Sequence, residues 1–222
     1  SATVDGGTGI LQALGIRFLD ADKNDLQNLP ESLINLSTID VSQPDKRIFN
    51  CELIILCDVE NILLGENGAA KIFAPQKGAN KNDVAKLEAA LTKFRDVSLQ
   101  QTGKDMSVIK YGGAAGGVAA GLHTFLNAVL MNGIEYFLNI TNFNKALHKT
   151  DIVITGEGSI DEQTLQGKGP YGVAKRAKEN NIPVIGLAGI IPDADNKELK
   201  KYFDVMLAIS NEPDVKVAIQ HR

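Results

Sequence analysis

Residues 151–170, DIVITGEGSIDEQTLQGKGP, set Glu157, Asp161, Thr164 and Lys168 behind a short apolar run and among Gly156, Gly158, Gly167 and Gly169. Two carboxylates, a hydroxyl and an ammonium at this spacing can hold a divalent cation, take a proton or neutralise phosphate oxygens. Glu157 and Asp161 are candidate metal ligands or bases. Lys168 is a candidate phosphate contact, and Thr164 a hydrogen-bond donor. Gly156 and Gly158 let the backbone approach a ligand closely. Two standard phosphate loops do not fit. G-x-x-x-x-G-K-[ST] fails because Gly169 follows Gly167-Lys168 and Glu162 stands where the first glycine belongs. G-x-G-x-x-G fails at its third position, which is Asp161. The competing reading is a polar, well-capped connection in which Asp161 only caps a turn.

Three more segments join glycine to polar chemistry. YGGAAGGVAAGL, residues 111–122, runs into a helical pattern, and its Gly112, Gly113, Gly116 and Gly117 could present N–H groups to an anion. Close packing of a helix against a neighbour would use the same small residues. CDVENILLGENGAAKIFAPQKG, residues 57–78, places Asp58 at a strand end, where a base or Mg²⁺ ligand commonly sits, and carries Gln76 and Lys77 after a proline turn. TVDGGTG, residues 3–9, sets Asp5 before a helix. Each is weak alone; four such loops at element ends in one chain point to a ligand.

Other chemistries find little support. His123, His148 and His221 are scattered, with His123 reading as a helix-packing residue and the other two as surface residues. No Cys/His metal spacing occurs. No serine or cysteine stands in a nucleophile context such as G-x-S-x-G. Cys51 and Cys57 lie in one extended stretch, where six residues span roughly 20 Å, too far for a disulfide. Two unpaired thiols fit a reducing, cytoplasmic setting.

The elements that would position these loops follow from periodicity. Ile10, Leu11 and Leu14 predict a helix closed by Gly15, and a strand follows over 16–19. CELIILCD predicts a buried strand. Val84, Leu87, Leu91, Phe94 and Val97 predict an amphipathic helix capped near Asn82–Asp83 and ended by Gly103. The glycine loop at 111 predicts a helix continuing to Gly133. From 151 onward, apolar strands DIVIT, PVIGLAG and DVMLAIS alternate with helical YGVAKRAKENN and NKELKKYF, which predicts βαβ units and a parallel sheet. A domain boundary is expected near residue 150.

At 222 residues, 44% hydrophobic and 23% charged, the chain has globular composition. A net charge of −4 leaves no cationic surplus for a nucleic-acid polymer. No apolar run reaches membrane-spanning length, and no signal-peptide pattern opens the chain. Small anionic ligands remain.

Taken together, DGGTGILQALGIRFLD, CDVENILLGENGAAKIFAPQKGA, GGAAGGVAAGL and DIVITGEGSIDEQTLQGKGPYGVAKRAKENNIPVIGLAG closely resemble the bacterial glycerate kinases of the type I family, in order and spacing, over residues 1 to about 210. The resemblance implies Mg²⁺- and ATP-dependent phosphorylation of D-glycerate, usually at the 2-hydroxyl. It implies an α/β fold of two domains, with a three-layer, Rossmann-like parallel sheet built from both ends of the chain, a second α/β domain from the middle, and the active site in a cleft. Residues 1–150 then correspond to the middle domain and 151–222 to the C-terminal part of the Rossmann-like one. The chain starts inside the first glycine motif and ends in the short, polar NEPDVKVAIQHR. The expectation is therefore a fragment or shortened relative lacking the family's N-terminal segment.

Within that reading, the Gly112–Gly117 backbone, Gly156, Gly158, Thr164 and Lys168 are expected on the nucleotide, and Glu157 and Asp161 on Mg²⁺ or as base. Asp58 is a further candidate base, and Lys77, Gln76 and Asp5 are expected on the substrate, with Lys77 pairing the glycerate carboxylate. The alternatives are a non-catalytic small-molecule or nucleotide binding module, and a Rossmann-type oxidoreductase, which the missing third glycine disfavours. Oligomeric state is left open.

Overall fold

The computed structural model describes residues 3–209. His221 and the tail from residue 210 lie outside the described residues. The chain divides between Met131 and Asn132 into two compact α/β units, earlier than the expected position near 150. The reason is packing. Leu147 sits in the core that holds Val153 and Ala174, and Ile134 lies against Gly172. Residues 132–150 therefore belong with the strands and helix that come after residue 150.

The first unit is organised around one long helix. In chain order it has α1 (Thr8–Ala13), β1 (Arg17–Leu19), β2 (Thr38–Asp40), β3 (Ile54–Cys57), α2 (Ala69–Phe73), α3 (Lys81–Thr102), α4 (Val118–Leu126) and β4 (Val129–Asn132). Helix α3 begins at a capping box. Asn80 accepts from the Asn82 and Asp83 amides, while Asp83 accepts from the Asn80 amide, so orphan donors at the helix start are satisfied. Gly103, at φ 71°, closes the helix in the left-handed conformation. Ala90, Leu91, Phe94 and Val97 form its buried stripe. Phe94 meets Phe18 edge-on at 5.8 Å and stacks on Phe125 at 5.9 Å. Strands β1 and β2 pair antiparallel, Phe18 opposite Ile39. The Gln101 amide clasps Ile39, accepting from its N–H at 2.7 Å and donating to its carbonyl at 3.1 Å. A side chain from α3 thus takes the place of a third strand.

Two expectations fail in this unit. Helix α4 ends at Leu126 and does not reach Gly133, because Asn127 turns left-handed at φ 54°. The next residues form β4, which pairs with β3. Strand β3 is not buried throughout: Leu56 is half exposed, and only Cys57 is fully covered. The Cys57 thiol is pushed up to about 11 by burial and by the charge of Asp58. A thiol reagent at mildly alkaline pH should label exposed Cys51 and spare Cys57 until the chain is unfolded. Equal labelling rates in the native protein would refute this placement.

The second unit holds α5 (Gly133–Ile140), α6 (Phe143–Leu147), β5 (Val153–Ser159), α7 (Gly169–Glu179), β6 (Val184–Ile190) and β7 (Val205–Ala208). Strands β5, β6 and β7 form a parallel sheet in that order, as the alternation predicts. NKELKKYF contributes only a 3-10 turn at Leu199–Lys201. Strand β5 does not stop at Gly156. It runs through Gly156-Glu157-Gly158 to Ser159, which pairs with Ile190. The glycine is needed inside the strand, since a Cβ on Gly156 would lie 2.2 Å from the Leu187 carbonyl oxygen. One face of the sheet packs on α7 and the core. On the other, Ile154, Val205 and Leu207 are exposed, and the register aligns Ile154 with Ile185 and Ile185 with Val205. Parallel sheets are almost always covered on both faces, so this open apolar face is unusual.

Candidate functional site

In the first unit, three of the glycine-bearing loops meet. The Gly6 amide donates to the Gly116 carbonyl at 3.0 Å, and the Gly113 amide donates to the Asn61 carbonyl at 2.9 Å. The contact is backbone on backbone: a Cβ on Gly116 would lie 2.2 Å from the Thr3 carbonyl oxygen. Residues 3–9, 57–78 and 111–122 are thereby knitted into one surface. Lys77 reaches into it, its Nζ donating to the Thr3 carbonyl at 2.6 Å. Partial burial holds the Lys77 ammonium below its ordinary range, and nearby Asp5 opposes that shift.

The glycines of this loop do not present free donors. The Gly112 amide donates to Ile109, Gly113 to Asn61, and Gly116 and Gly117 both to the Gly113 carbonyl. As folded, their role is close packing, and in the expected phosphate cradle over 112–117 the N–H groups of Gly112, Gly113, Gly116 and Gly117 are already engaged. Asp5 is also committed. Its two carboxylate oxygens accept from the Gly7 and Gly9 amides at 3.0 and 3.1 Å, closing the turn before α1. Asp58 and Gln76 are exposed, and no hydrogen bond joins either to Lys77 among the described residues. His123 points Nδ1 at the Ala128 carbonyl at 2.7 Å, so its Nδ1 carries the proton and the ring braces the end of α4.

In the second unit, the end of β5 and the turn after it gather Glu157, Asp161, Thr164 and Lys168. Glu157 follows Gly156 on the strand, with its side chain 19% exposed. The Thr164 hydroxyl donates to Glu157 Oε1 at 2.6 Å. Lys168 Nζ stands 3.6 Å from Glu157 Oε2. Asp161 is held by its own turn: Oδ1 accepts from the Gln163 amide and Oδ2 from the Ser159 hydroxyl, both at 2.9 Å. Gly167, at φ 106°, lets the chain turn into α7, with Lys168 as its N-cap and Pro170 in the first turn. Gly158 faces open space. Four of the residues singled out from sequence are thus one hydrogen-bonded cluster at the carboxyl end of a parallel strand, where open α/β sheets bind ligands.

Ser159 and Asn61 were not legible as site residues. Ser159 is the second partner of Asp161, and the S-x-D spacing is the signal that could have found it. Asn61 contributes a backbone carbonyl to the Gly113 amide and donates its side-chain amide to the Asn67 carbonyl, a role without a sequence signature. Arg176, anchored by Glu135, Asn139 and Asn144, ties α7 to α5 and α6 and so steadies the helix that Lys168 caps.

The donor set suits a hard cation bound sparingly. Glu157 and Asp161 offer carboxylate oxygens, and no group of three or more His, Cys, Asp or Glu side chains forms a fuller cage among the described residues. Mg²⁺ is commonly held by one or two carboxylates together with water and substrate phosphates, so these residues fit it. No helix among the described residues is long and apolar enough to cross a membrane.

Comparison with known proteins identifies the family. The model of the Glycerate kinase family matches residues 1–221. The chain is 45% identical over 189 residues to the glycerate kinase of Halalkalibacterium halodurans, covering 85% of this chain and 50% of that protein. It is 43% identical over 193 residues to the glycerate 2-kinase of Escherichia coli K12, covering 87% and 51%. The crystal structure of a protein from Salmonella typhimurium LT2, provisionally named glycerate kinase 2, superposes with a TM-score of 0.76 at 40% identity, over 100% of this chain and 57% of that one. The chain spans about half the length of the curated relatives it matches. A family match over residues 1–221 shows that this chain belongs to the glycerate kinase family.

Proposed function

We propose that the chain serves the Mg²⁺-dependent transfer of the ATP γ-phosphoryl group to D-glycerate, at the 2-hydroxyl. The observation that carries this reading is the Glu157–Lys168 pair at the end of β5, within a chain of the glycerate kinase family and 43% identical to a glycerate 2-kinase. Phosphoryl transfer asks the protein mainly for positioning and charge neutralisation. Lys168, on a helix start, supplies a cation for phosphate oxygens. Glu157 accepts the proton of the attacking hydroxyl through Oε2, the oxygen that Thr164 leaves free. Mg²⁺, held beside Glu157 mainly through water and the substrate phosphates, would neutralise further charge there. In the first unit, taken by itself, Lys77 is the cation offered to an anionic substrate group, because a partly desolvated ammonium gains most from an anionic partner. The Gly112–Gly117 loop supports Lys77 by holding Thr3 in place.

The α/β units correspond, in this proposal, to the middle domain and to part of a Rossmann-like domain. The open face of the β5–β7 sheet supports that correspondence, since Ile154, Val205 and Leu207 then pack against further polypeptide. A non-catalytic module that only binds nucleotide is the second reading. In that reading too, the amides of Gly112, Gly113, Gly116 and Gly117 are engaged, which leaves Lys168 as the phosphate contact.

Incubation with ATP, Mg²⁺ and D-glycerate, followed by phosphorus NMR, tests the function. 2-Phosphoglycerate is the expected product. Nucleotide binding without any phosphorylated product would favour the binding module, and 3-phosphoglycerate would reassign the attacked hydroxyl. Lys77→Met should raise the KM for glycerate by about tenfold or more, with a smaller change in kcat, as loss of one charged hydrogen bond to a substrate anion predicts. An unchanged KM would remove Lys77 from the substrate.

A further inference from the structure

Thr164 carries a hydroxyl in the middle of the strand-end cluster, and its surroundings assign that hydroxyl a use. The residue is fully buried. Its single hydroxyl proton is directed to Glu157 Oε1 at 2.6 Å, because a carboxylate oxygen accepts. A lone pair of the same oxygen accepts from the Asp161 amide at 3.1 Å. The proton and one of the two lone pairs are thus engaged inside the protein, and the fully buried side chain has no surface to offer a nucleotide. Ser159 does the matching work on Asp161, donating to Oδ2 at 2.9 Å while the Gln163 amide holds Oδ1. Both Asp161 oxygens face their own turn. Only Oε2 of Glu157 has no hydroxyl or amide partner within the cluster; it faces Lys168 at 3.6 Å.

We infer that Thr164 is a positioning residue that fixes Glu157 so that Oε2 is its working oxygen, and that Ser159 and Thr164 together divide the two carboxylates into one that acts and one that holds the turn. This rests on the proposed kinase reading for its kinetic consequence, though not for the positioning itself. The physical basis is the short charge-assisted hydrogen bond. Glu157 has three rotatable side-chain bonds, and a single rotamer is kept only if something outside it supplies a partner. Thr164→Val keeps nearly the same volume and removes that partner, leaving Glu157 Oε1 and the Asp161 N–H both unpaired.

The test has a structural arm and a kinetic arm. In the 222-residue chain, three-bond Hα–Hβ couplings of Glu157 should report one rotamer in the unsubstituted protein and in Thr164→Ser, and averaging in Thr164→Val. In a family-length polypeptide containing these residues, Thr164→Val should lower the glycerate-dependent kcat by about ten- to a hundredfold, the scale seen when the support of a first-contact group is lost. The KM for ATP should change little, and Thr164→Ser should restore most of the rate. A single Glu157 rotamer in Thr164→Val would overturn the inference. So would a Thr164→Ser variant as deficient as Thr164→Val, since the methyl group would then be what matters. Should Thr164→Val not fold, the unsubstituted chain decides. A slowly exchanging Thr164 hydroxyl proton with a cross-peak to Glu157 supports the assignment, and its absence refutes it. Absence of glycerate turnover in the unsubstituted protein would refute the kinase reading, while the coupling measurements would still decide the positioning role.

Discussion

Replacing Gly121 with alanine is expected to destabilise the first unit by about 3 kcal/mol, against the usual direction for a glycine inside a helix. Gly121 lies in α4, and alanine normally favours a helix interior by up to about 1 kcal/mol over glycine. Here a Cβ would stand 2.0 Å from the Gly6 carbonyl oxygen, which is backbone and cannot swing away. Gly6 is itself fixed, because its amide donates to Gly116 and the aromatic ring of Phe94 lies against its Cα. The clash therefore pushes apart residues 3–9 and α4, the same contact that seats Thr3 beneath Lys77. The expected readout is a melting temperature lower by roughly 10 °C for a unit of this size. Gly158→Ala is the control, since nothing lies within 4 Å of its added Cβ, and it should leave stability nearly unchanged. A Gly121→Ala protein as stable as its parent would mean that the loops are not interlocked as described.

Glu157→Gln is expected to have the largest effect on turnover. Glutamine keeps the size of the side chain and can still accept from Thr164 through its carbonyl oxygen. What it loses is the ability to take a proton at Oε2 and the charge that faces Lys168. General-base catalysis by a positioned group contributes on the order of 10²- to 10⁴-fold, so glycerate-dependent kcat should fall by about 10²-fold or more, with the fold intact. Asp161→Asn separates the two carboxylates. Both Asp161 oxygens are occupied by Ser159 and Gln163, so its replacement should disturb the turn more than the chemistry. A greater loss of kcat in Asp161→Asn than in Glu157→Gln would reverse the assignment.

Much of the positioning machinery was legible because it is local. The C-terminal end of α3 could be read from Gly103 and its buried stripe from the 3/4 spacing of Leu91, Phe94 and Val97, whereas its N-cap, expected at Asn82 or Asp83, is Asn80. The parallel β5–β7 sheet could be read from the alternation of apolar strands and helices. What was not legible depends on distant partners. The glycines at 112–117 suggest an anion cradle by composition, yet their neighbours are Thr3, Gly6 and Asn61, which no local pattern reveals. Gly156 reads as a strand breaker, whereas close approach to Leu187 makes glycine the residue that lets β5 continue. Apolar content marks Ile154 and Leu207 for burial, but not which face of the sheet they take or that this face is open. Of the site, the cluster of Glu157, Asp161, Thr164 and Lys168 was visible as spacing. The division of labour within it was not, because that depends on which oxygen Thr164 and Ser159 each address.

The strand-end pair of Glu157 and Lys168 is proposed to carry glycerate phosphorylation. The most direct test is a coupled ADP-release assay with ATP, Mg²⁺ and D-glycerate, comparing the unsubstituted family-length protein with Glu157→Gln and Lys168→Met. ADP release should require glycerate and fall by about 10²-fold in each variant. Glycerate-dependent release that survives both substitutions, or release indifferent to glycerate, would contradict it.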